Sequence, residues 1–328
     1  MIISKTPMRC SFFGGGTYFH DYFENSRFGY GSVISTALDM HVYITVNENF
    51  DGKVRLCYAG NEFVDCVDQV KHNIIREAMK TVGIERGIEL FYSADIPLSG
   101  VGIGLASSSA LAVGVLNALH AFKGEYVSAE QLAREACHIE IDCLGQQIGI
   151  QDQYAASFGG FKRYRFNQNG TVTVMPVLCK KEVLDGLEQN LMMFFTGVTR
   201  DSSKILSEQT RTIPDKTEIL DSMAAMVDEM YDELAAGSID SWGYGLDKSW
   251  QMKKKFAGGV SNSMIDGMYT AAQNAGALGG KILGAGGGGF LLLYVPKDAQ
   301  KSVKEALKEF RQVPFVLEPQ GSRIIFSD

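Results

Sequence analysis

The sequence predicts a protein of mixed helices and strands, built as two domains or as one large one. Three observations lead there. With 328 residues, 45% hydrophobic and 21% charged, the chain has the balance of an ordinary globular protein, and either half is long enough to bury its own core. Its first third reads mainly as strand, after which the texture changes to Gly- and Ser-rich loops and long helical stretches. A polar stretch at 180–190 marks a candidate junction between the halves.

The elements follow in order. Residues 39–48 (DMHVYITVNE) alternate and are β-branched or aromatic, as a half-buried strand should be. Residues 53–58 and 87–94 repeat the signal, with a helical stretch near 67–82 between them. Residues 110–122 (ALAVGVLNALHAF) are apolar nearly all round, the mark of a helix inside a core. A second helix over 128–144 opens with Ser128 and Gln131 as a capping box and carries one apolar stripe of Leu132, Ala136, Ile139 and Cys143. Short strands near 161–166 and 171–176 meet at an Asn169-Gly170 turn. Beyond the junction the pattern predicts a strand at 191–196 and helices near 201–211, 216–236 and 262–275. Strands at 281–284 and 289–295, a helix at 297–311 and a last strand near 321–326 finish the chain.

Composition excludes several classes. The net charge is −7, from 31 Lys+Arg against 38 Asp+Glu, which argues against a nucleic-acid binder with its basic face. A phosphate-handling protein with that acidic background would lean on backbone N–H groups and a divalent metal. The six cysteines (Cys10, Cys57, Cys66, Cys137, Cys143, Cys179) form no C-x-x-C pair and read as reduced thiols without a zinc site. The segment Met1–Pro7 has no apolar run with a cleavage site, and no stretch reaches the length of a membrane span, so a cytoplasmic chain with no membrane partner is expected.

Three glycine-rich marks punctuate the pattern. The first, Phe13-Gly14-Gly15-Gly16-Thr17, is either a tight turn or a place where backbone approaches a ligand. The second runs Gly100-Val101-Gly102-Ile103-Gly104-Leu105-Ala106-Ser107-Ser108-Ser109 and opens directly onto the buried helix. A helix start with unpaired N–H groups, a positive dipole end and serine hydroxyls is an anion site, or more plainly a Ser-rich cap. It lacks the G-K-[ST] ending of a Walker loop, and no acidic residue follows at the spacing of a dinucleotide fingerprint. The third, Lys281-Ile282-Leu283-Gly284-Ala285-Gly286-Gly287-Gly288-Gly289-Phe290, has more glycines than a hairpin needs, so close approach to a ligand or another loop explains it better. An acidic motif, Gly149-Ile150-Gln151-Asp152-Gln153-Tyr154, gains weight from Glu140 on the preceding helix. Two carboxylates near a phosphate cradle suggest one metal ligand and one base.

Taken in this order, the three marks resemble the signature motifs of the GHMP kinases (galactokinase, homoserine kinase, mevalonate kinase, phosphomevalonate kinase), over essentially the whole chain. The segments GGGT, GIQDQYAASFGGF, FTGVTRDSSKILSEQ, WQMKKKF and GGKILGAGGGGF look most like the branch that acts on D-glycero-D-manno-heptose 7-phosphate.

The resemblance implies an α+β fold in two domains. The first, 1–185, would bind ATP and carry a left-handed βαβ unit; the second, 186–328, would be ferredoxin-like. The ATP phosphates would lie on Gly100, Gly102, Gly104, Leu105, Ala106, Ser107, Ser108 and Ser109, with Mg²⁺ held by Ser108 and Glu140. Asp152 would accept the proton of the attacking hydroxyl, and Arg9 would keep it ionised. Gly15, Gly16, Thr17, Tyr18, Asp21, Arg200, Gly286 and Gly287 would face the substrate, with Lys204, Lys253, Lys254 and Lys281 as further cationic candidates or ordinary surface charges.

Two departures stand out: Tyr18 replaces the acidic residue that branch has after GGGT, with Asp21 three residues on, and six residues separate Pro97 from Gly104, with Ala106 in place of a glycine. The implied activity is ATP-dependent phosphorylation of a small-molecule sugar or sugar phosphate, foremost the heptose 7-phosphate to its 1,7-bisphosphate, by a monomer or homodimer. A fucokinase-like sugar 1-kinase and a non-catalytic sugar- and ATP-binding sensor are the alternatives.

Overall fold

In the computed structural model, residues 1–96, 104–199 and 203–328 are described. The chain opens with β1 (Ile2–Phe13), the single turn α1 (His20–Phe23) and the long β2 (Tyr30–Glu48). The hairpin β3 (Val54–Cys57) and β4 (Asn61–Val64) leads to α2 (Asn73–Val82) and β5 (Ile88–Ala94). Then come α3 (Ser107–Phe122), α4 (Ala129–Cys137), α5 (Gln151–Phe158), β6 (Phe161–Asn167) and β7 (Val172–Pro176). The later part runs α6 (Lys181–Asn190), β8 (Leu191–Phe195), α7 (Ser203–Thr212), α8 (Thr217–Ala235), α9 (Ile239–Phe256) and α10 (Ser263–Asn274). It ends with β9 (Gly279–Ile282), β10 (Phe290–Tyr294), α11 (Gln300–Ala306), β11 (Arg311–Gln312), β12 (Leu317–Glu318) and β13 (Arg323–Ser327).

The first sheet follows the order β13-β1-β2-β5-β3-β4, with β12, β6 and β7 attached along β2. Its pairs are antiparallel except β3 with β5, which are joined through β4 and α2. β1 is buried on both faces from Thr6 onward, so it reads as a continuous run rather than an alternation. α3 lies across β1 and β2. Ser4 Oγ donates to the Gly114 carbonyl at 2.8 Å, and Gly114 leaves no room for a side chain against Thr6. That close approach sets the depth at which the N-terminus of α3 reaches the end of the sheet.

The second sheet is β11-β8-β10-β9, antiparallel at every step. Counted along this half of the chain the order is 4-1-3-2, the ferredoxin-like arrangement. Trp242 of α9 joins the halves, its ring edge-on to Phe12 at 5.2 Å and Phe13 at 5.0 Å and its indole N–H donating to the Met230 carbonyl at 2.7 Å. The tail then returns: β12 pairs with β2 and β13 with β1, so the last strands belong to the first sheet by hydrogen bonding.

Several elements differ from the sequence reading. The helix expected over 67–82 starts only at Asn73, after a single 3₁₀ turn at Val67–Gln69. Ser128 does cap its helix, accepting the Gln131 N–H at 3.1 Å, but α4 gives way at His138 to a π-helical turn, His138–Cys143. The polar stretch at 180–190 is mostly helix, α6, pinned by buried Leu187. The helix expected over 297–311 is shorter, since Arg311 and Gln312 pair with β8. Among the described residues no helix is long and apolar enough to cross a membrane.

Candidate active site

The second and third glycine-rich marks and the acidic motif converge on one cleft of about 830 Å³, including its open mouth, with Tyr18, just after the first mark, also in its lining. β1 delivers Arg9, the start of α3 delivers Ser107, Ser108 and Ser109, the π-helical turn delivers Glu140, and the first turn of α5 delivers Asp152. The opposite wall is Leu283, Gly284, Ala285, Gly286 and Gly288. A π-helical turn inserts one residue into the helical repeat and is a frequent device at functional sites; here it aims Glu140 at the α3 serines.

Arg9 grips Asp152 with two bonds, Nε to Oδ1 at 2.9 Å and Nη2 to Oδ2 at 2.8 Å. Its remaining Nη1 donates to the Gly104 carbonyl at 2.8 Å, and its backbone N–H to the Leu105 carbonyl at 3.1 Å. The guanidinium is 5% exposed and the Asp152 side chain 28%, so the cation is held inside while the carboxylate reaches the cleft. Such a bidentate pair fixes orientation as well as charge.

Glu140 is fully buried. Ser108 Oγ donates to its Oε1 at 2.6 Å; Ser109 Oγ and Gln153 Nε2 both donate to Oε2 at 2.7 Å. Burial pushes its carboxyl above the usual range, the three hydrogen bonds pull it back, and the Asp152 charge pushes it up further. Gln153 Oε1 is buried with no partner. A hydroxyl and a carboxylate are hard oxygen donors of the kind that suits Mg²⁺.

Ala106, just before α3, is the non-glycine residue with positive φ among the described residues, at φ 60°. Its left-handed backbone turns the chain so that the first N–H groups of α3 open toward the cleft. Tyr18 packs where Gly149 has no side chain, and burial with the nearby Asp152 charge pushes its phenol up to about 12.

Not all expected residues line the cleft. Leu105 is buried behind it. Thr17 is fully buried, its hydroxyl 2.8 Å from the carbonyls of Gly14 and Ser32, so it closes its own turn. Gly15 and Gly16 sit under α8, Gly16 against Leu220 and Phe256. Asp21 is exposed and borders a separate small cavity with Tyr22, Asn25, Ile213, Pro214 and Thr217. Gly286 lines the cleft, but the Gly287 N–H is taken by the Val260 carbonyl at 2.7 Å and the Gly289 N–H by Val198 at 2.8 Å, so this loop chiefly meets other loops.

Lys204 is exposed beside the neighbouring 144–148 segment, and Lys254 pairs with Asp266 at 3.5 Å. Lys281 is buried and donates to the Phe12 carbonyl at 2.9 Å; burial lowers its ammonium to about 8. Lys253 is buried as well. Gly100, Gly102 and Arg200 lie outside the described residues. Sequence reasoning missed Gln153, although it stands next to Asp152, because a glutamine carries no charge to single it out. It also missed Gln146, Ile148 and Leu206, which line the cleft without any local pattern.

An open helix start, a buried carboxylate beside it and an Arg-held aspartate are groups of the kind that phosphoryl transfer uses for positioning and charge. Residues 69–160 match the model of the GHMP kinase N-terminal domain and residues 230–312 that of the GHMP kinase C-terminal domain. The chain belongs to the GHMP kinases. It is 29% identical, over 94% of its own length and 93% of the relative's, to a D-glycero-alpha-D-manno-heptose 7-phosphate kinase of Campylobacter jejuni. It is 28% identical over 87% of its length to an L-fucokinase/L-fucose-1-P guanylyltransferase of Bacteroides fragilis, of which it spans 30%. Its fold matches the crystal structure of a D-glycero-D-manno-heptose 1-phosphate kinase from Bacteroides thetaiotaomicron at a TM-score of 0.81, with 23% identity and full coverage of both chains.

Proposed function

We propose that this chain is an ATP-dependent sugar kinase whose acceptor is a sugar phosphate, foremost D-glycero-D-manno-heptose 7-phosphate, converted to the 1,7-bisphosphate. One observation carries the chemistry: Asp152 is presented to the cleft by a bidentate Arg9, opposite the open start of α3. The 29% identity across nearly the whole Campylobacter heptose 7-phosphate kinase supports the substrate.

In this reading Asp152 accepts the proton as the acceptor hydroxyl forms its new O–P bond, and the bond to the ADP oxygen breaks. Arg9 keeps Asp152 ionised and offsets charge that builds on the moving group. The first N–H groups of α3 and the Ser107 hydroxyl hold the nucleotide phosphates, while Ser108 and Ser109 give their hydroxyl protons to Glu140. Ser108 and Glu140, already joined by a 2.6 Å hydrogen bond at the start of α3, would hold Mg²⁺. When bound, that ion supplies charge neutralisation to the phosphates. Phosphoryl transfer asks a protein mainly for positioning and charge, and these residues supply both.

A fucokinase-like 1-kinase acting on unphosphorylated sugar is the second reading, favoured by Tyr18 in place of an acidic residue and by the Bacteroides fragilis relative. ATP consumption against a panel of free and phosphorylated hexoses and heptoses separates the two. The first requires turnover that depends on the terminal phosphate; the second requires turnover without it.

A further inference from the structure

Lys253, on α9, is 5% exposed, and among the described residues no carboxylate lies within ion-pair distance of it. Its ammonium donates to the Ile282 carbonyl at 3.3 Å and to that of Gly284. A buried ammonium without a counter-charge is costly, and a methionine of similar length would pack there at less expense. Its two acceptors bracket Leu283, whose turn is the second domain's wall of the cleft.

The contacts continue across the cleft. The Gly284 backbone abuts Gly104, so closely that a Cβ on Gly284 would lie 2.5 Å from the Gly104 Cα. The Gly104 carbonyl accepts Arg9 Nη1 at 2.8 Å, and Arg9 holds both oxygens of Asp152. Four contacts in series therefore run from the second domain to the candidate base.

We infer that Lys253 is a positioning residue, whose ammonium fixes the Ile282–Gly284 turn against Gly104 and so holds the Arg9–Asp152 pair in its working geometry. This rests on the reading of Asp152 as the base. The field of the ammonium also reaches that carboxylate: burial lowers the proton affinity of Lys253, the Lys281 and Arg9 charges lower it further, and the Asp152 charge raises it.

The test compares Lys253→Met, Lys253→Gln and Lys253→Arg in the full chain, by amide hydrogen exchange and by kcat and KM measured separately. Removing the charge is expected to speed exchange at both 282–286 and 104–109. It should also lower kcat by about tenfold or more with little change in KM. Lys253→Arg should return both the exchange and kcat toward the wild type.

Faster exchange confined to 282–286, with kcat unchanged, overturns the inference. If the Met variant does not fold, the Gln and Arg variants make the same comparison. A wild type that turns over no sugar refutes the kinase reading instead, and the exchange at 104–109 then decides for or against Lys253 alone.

Discussion

Gly104 and Gly284 stand backbone to backbone across the cleft: a Cβ on Gly104 would lie 2.5 Å from the Leu283 carbonyl oxygen, and one on Gly284 equally close to the Gly104 Cα. Both have positive φ, 84° and 68°. The two glycine-rich marks are thus two halves of one contact. Gly284→Ala should destabilise the fold by roughly 2–4 kcal/mol, from left-handed strain plus overpacking. Gly124→Ala, at φ 77° with nothing within 4 Å, carries the strain alone and should be milder by at least about 1 kcal/mol. Urea unfolding of the two variants checks this, and equal losses would remove the contact from the account.

Ala106→Gly should stabilise the protein. The left-handed region disfavours Ala by about 1–2 kcal/mol, and the extra freedom of Gly in the unfolded chain returns about 0.4–1 kcal/mol of that. A net gain of several tenths of a kcal/mol is expected, with the N-terminus of α3 unchanged. A loss of stability in the same unfolding experiment would contradict the backbone at φ 60°.

Glu140→Gln joins pH to metal. Burial is the largest influence on Glu140 and raises its carboxyl, so the folded state holds the proton more tightly than the unfolded one. Its stabilising contribution is present below the usual carboxylate range and is lost as pH rises through the raised value. In metal-free buffer at neutral pH, Glu140→Gln should therefore melt above the wild type, and the gap should narrow on acidification. Mg²⁺·ADP should raise the wild-type melting temperature more than that of the variant. A variant that responds equally to Mg²⁺ would take Glu140 out of the metal site.

Lys281 provides a second linkage, of opposite sense. Its ammonium falls from 10.5 to about 8 on burial, so between those values the unfolded chain binds more protons and wild-type stability gains as pH rises. Relative to Lys281→Met, the wild type should gain up to about 3 kcal/mol across that window. The variant also loses the bond to the Phe12 carbonyl, a constant offset of about 1 kcal/mol. Chemical unfolding at several pH values reads the difference, and a gap that does not change with pH would show that Lys281 does not titrate in the fold.

Much of the site was legible because glycine, proline and charge punctuate a chain at fixed places. The second and third glycine marks, Glu140 and Asp152 meet in the structure as one cleft, while Gly15 and Gly16 of the first pack under α8. What stayed hidden has physical causes. The apolar positions of α9, such as Trp242, Leu246, Trp250 and Phe256, are interleaved with Gly243 and Gly245, which are needed for close packing on Tyr294 and Phe13. Those glycines erase the propensity signal of the helix. Lys253 sits in a Lys253-Lys254-Lys255 run that reads as a solvated face, and nothing local reveals that one of the three turns inward. The return of β12 and β13 to the first sheet is a pairing between chain ends, with no counterpart in local periodicity. The π-helical turn under Glu140 is likewise invisible in an apolar stripe that continues through it.

The central claim is that Asp152, gripped by Arg9, is the base for phosphoryl transfer from ATP to a sugar phosphate. Turnover of D-glycero-D-manno-heptose 7-phosphate with Mg²⁺·ATP, followed by ³¹P NMR for wild type and Asp152→Asn, tests it most directly. The wild type should produce ADP and a bisphosphate one for one, and Asp152→Asn should lower kcat by roughly 10²–10⁴ with nucleotide affinity nearly unchanged. A variant that turns over at near the wild-type rate, or a wild type that leaves the heptose phosphate untouched, would contradict the claim.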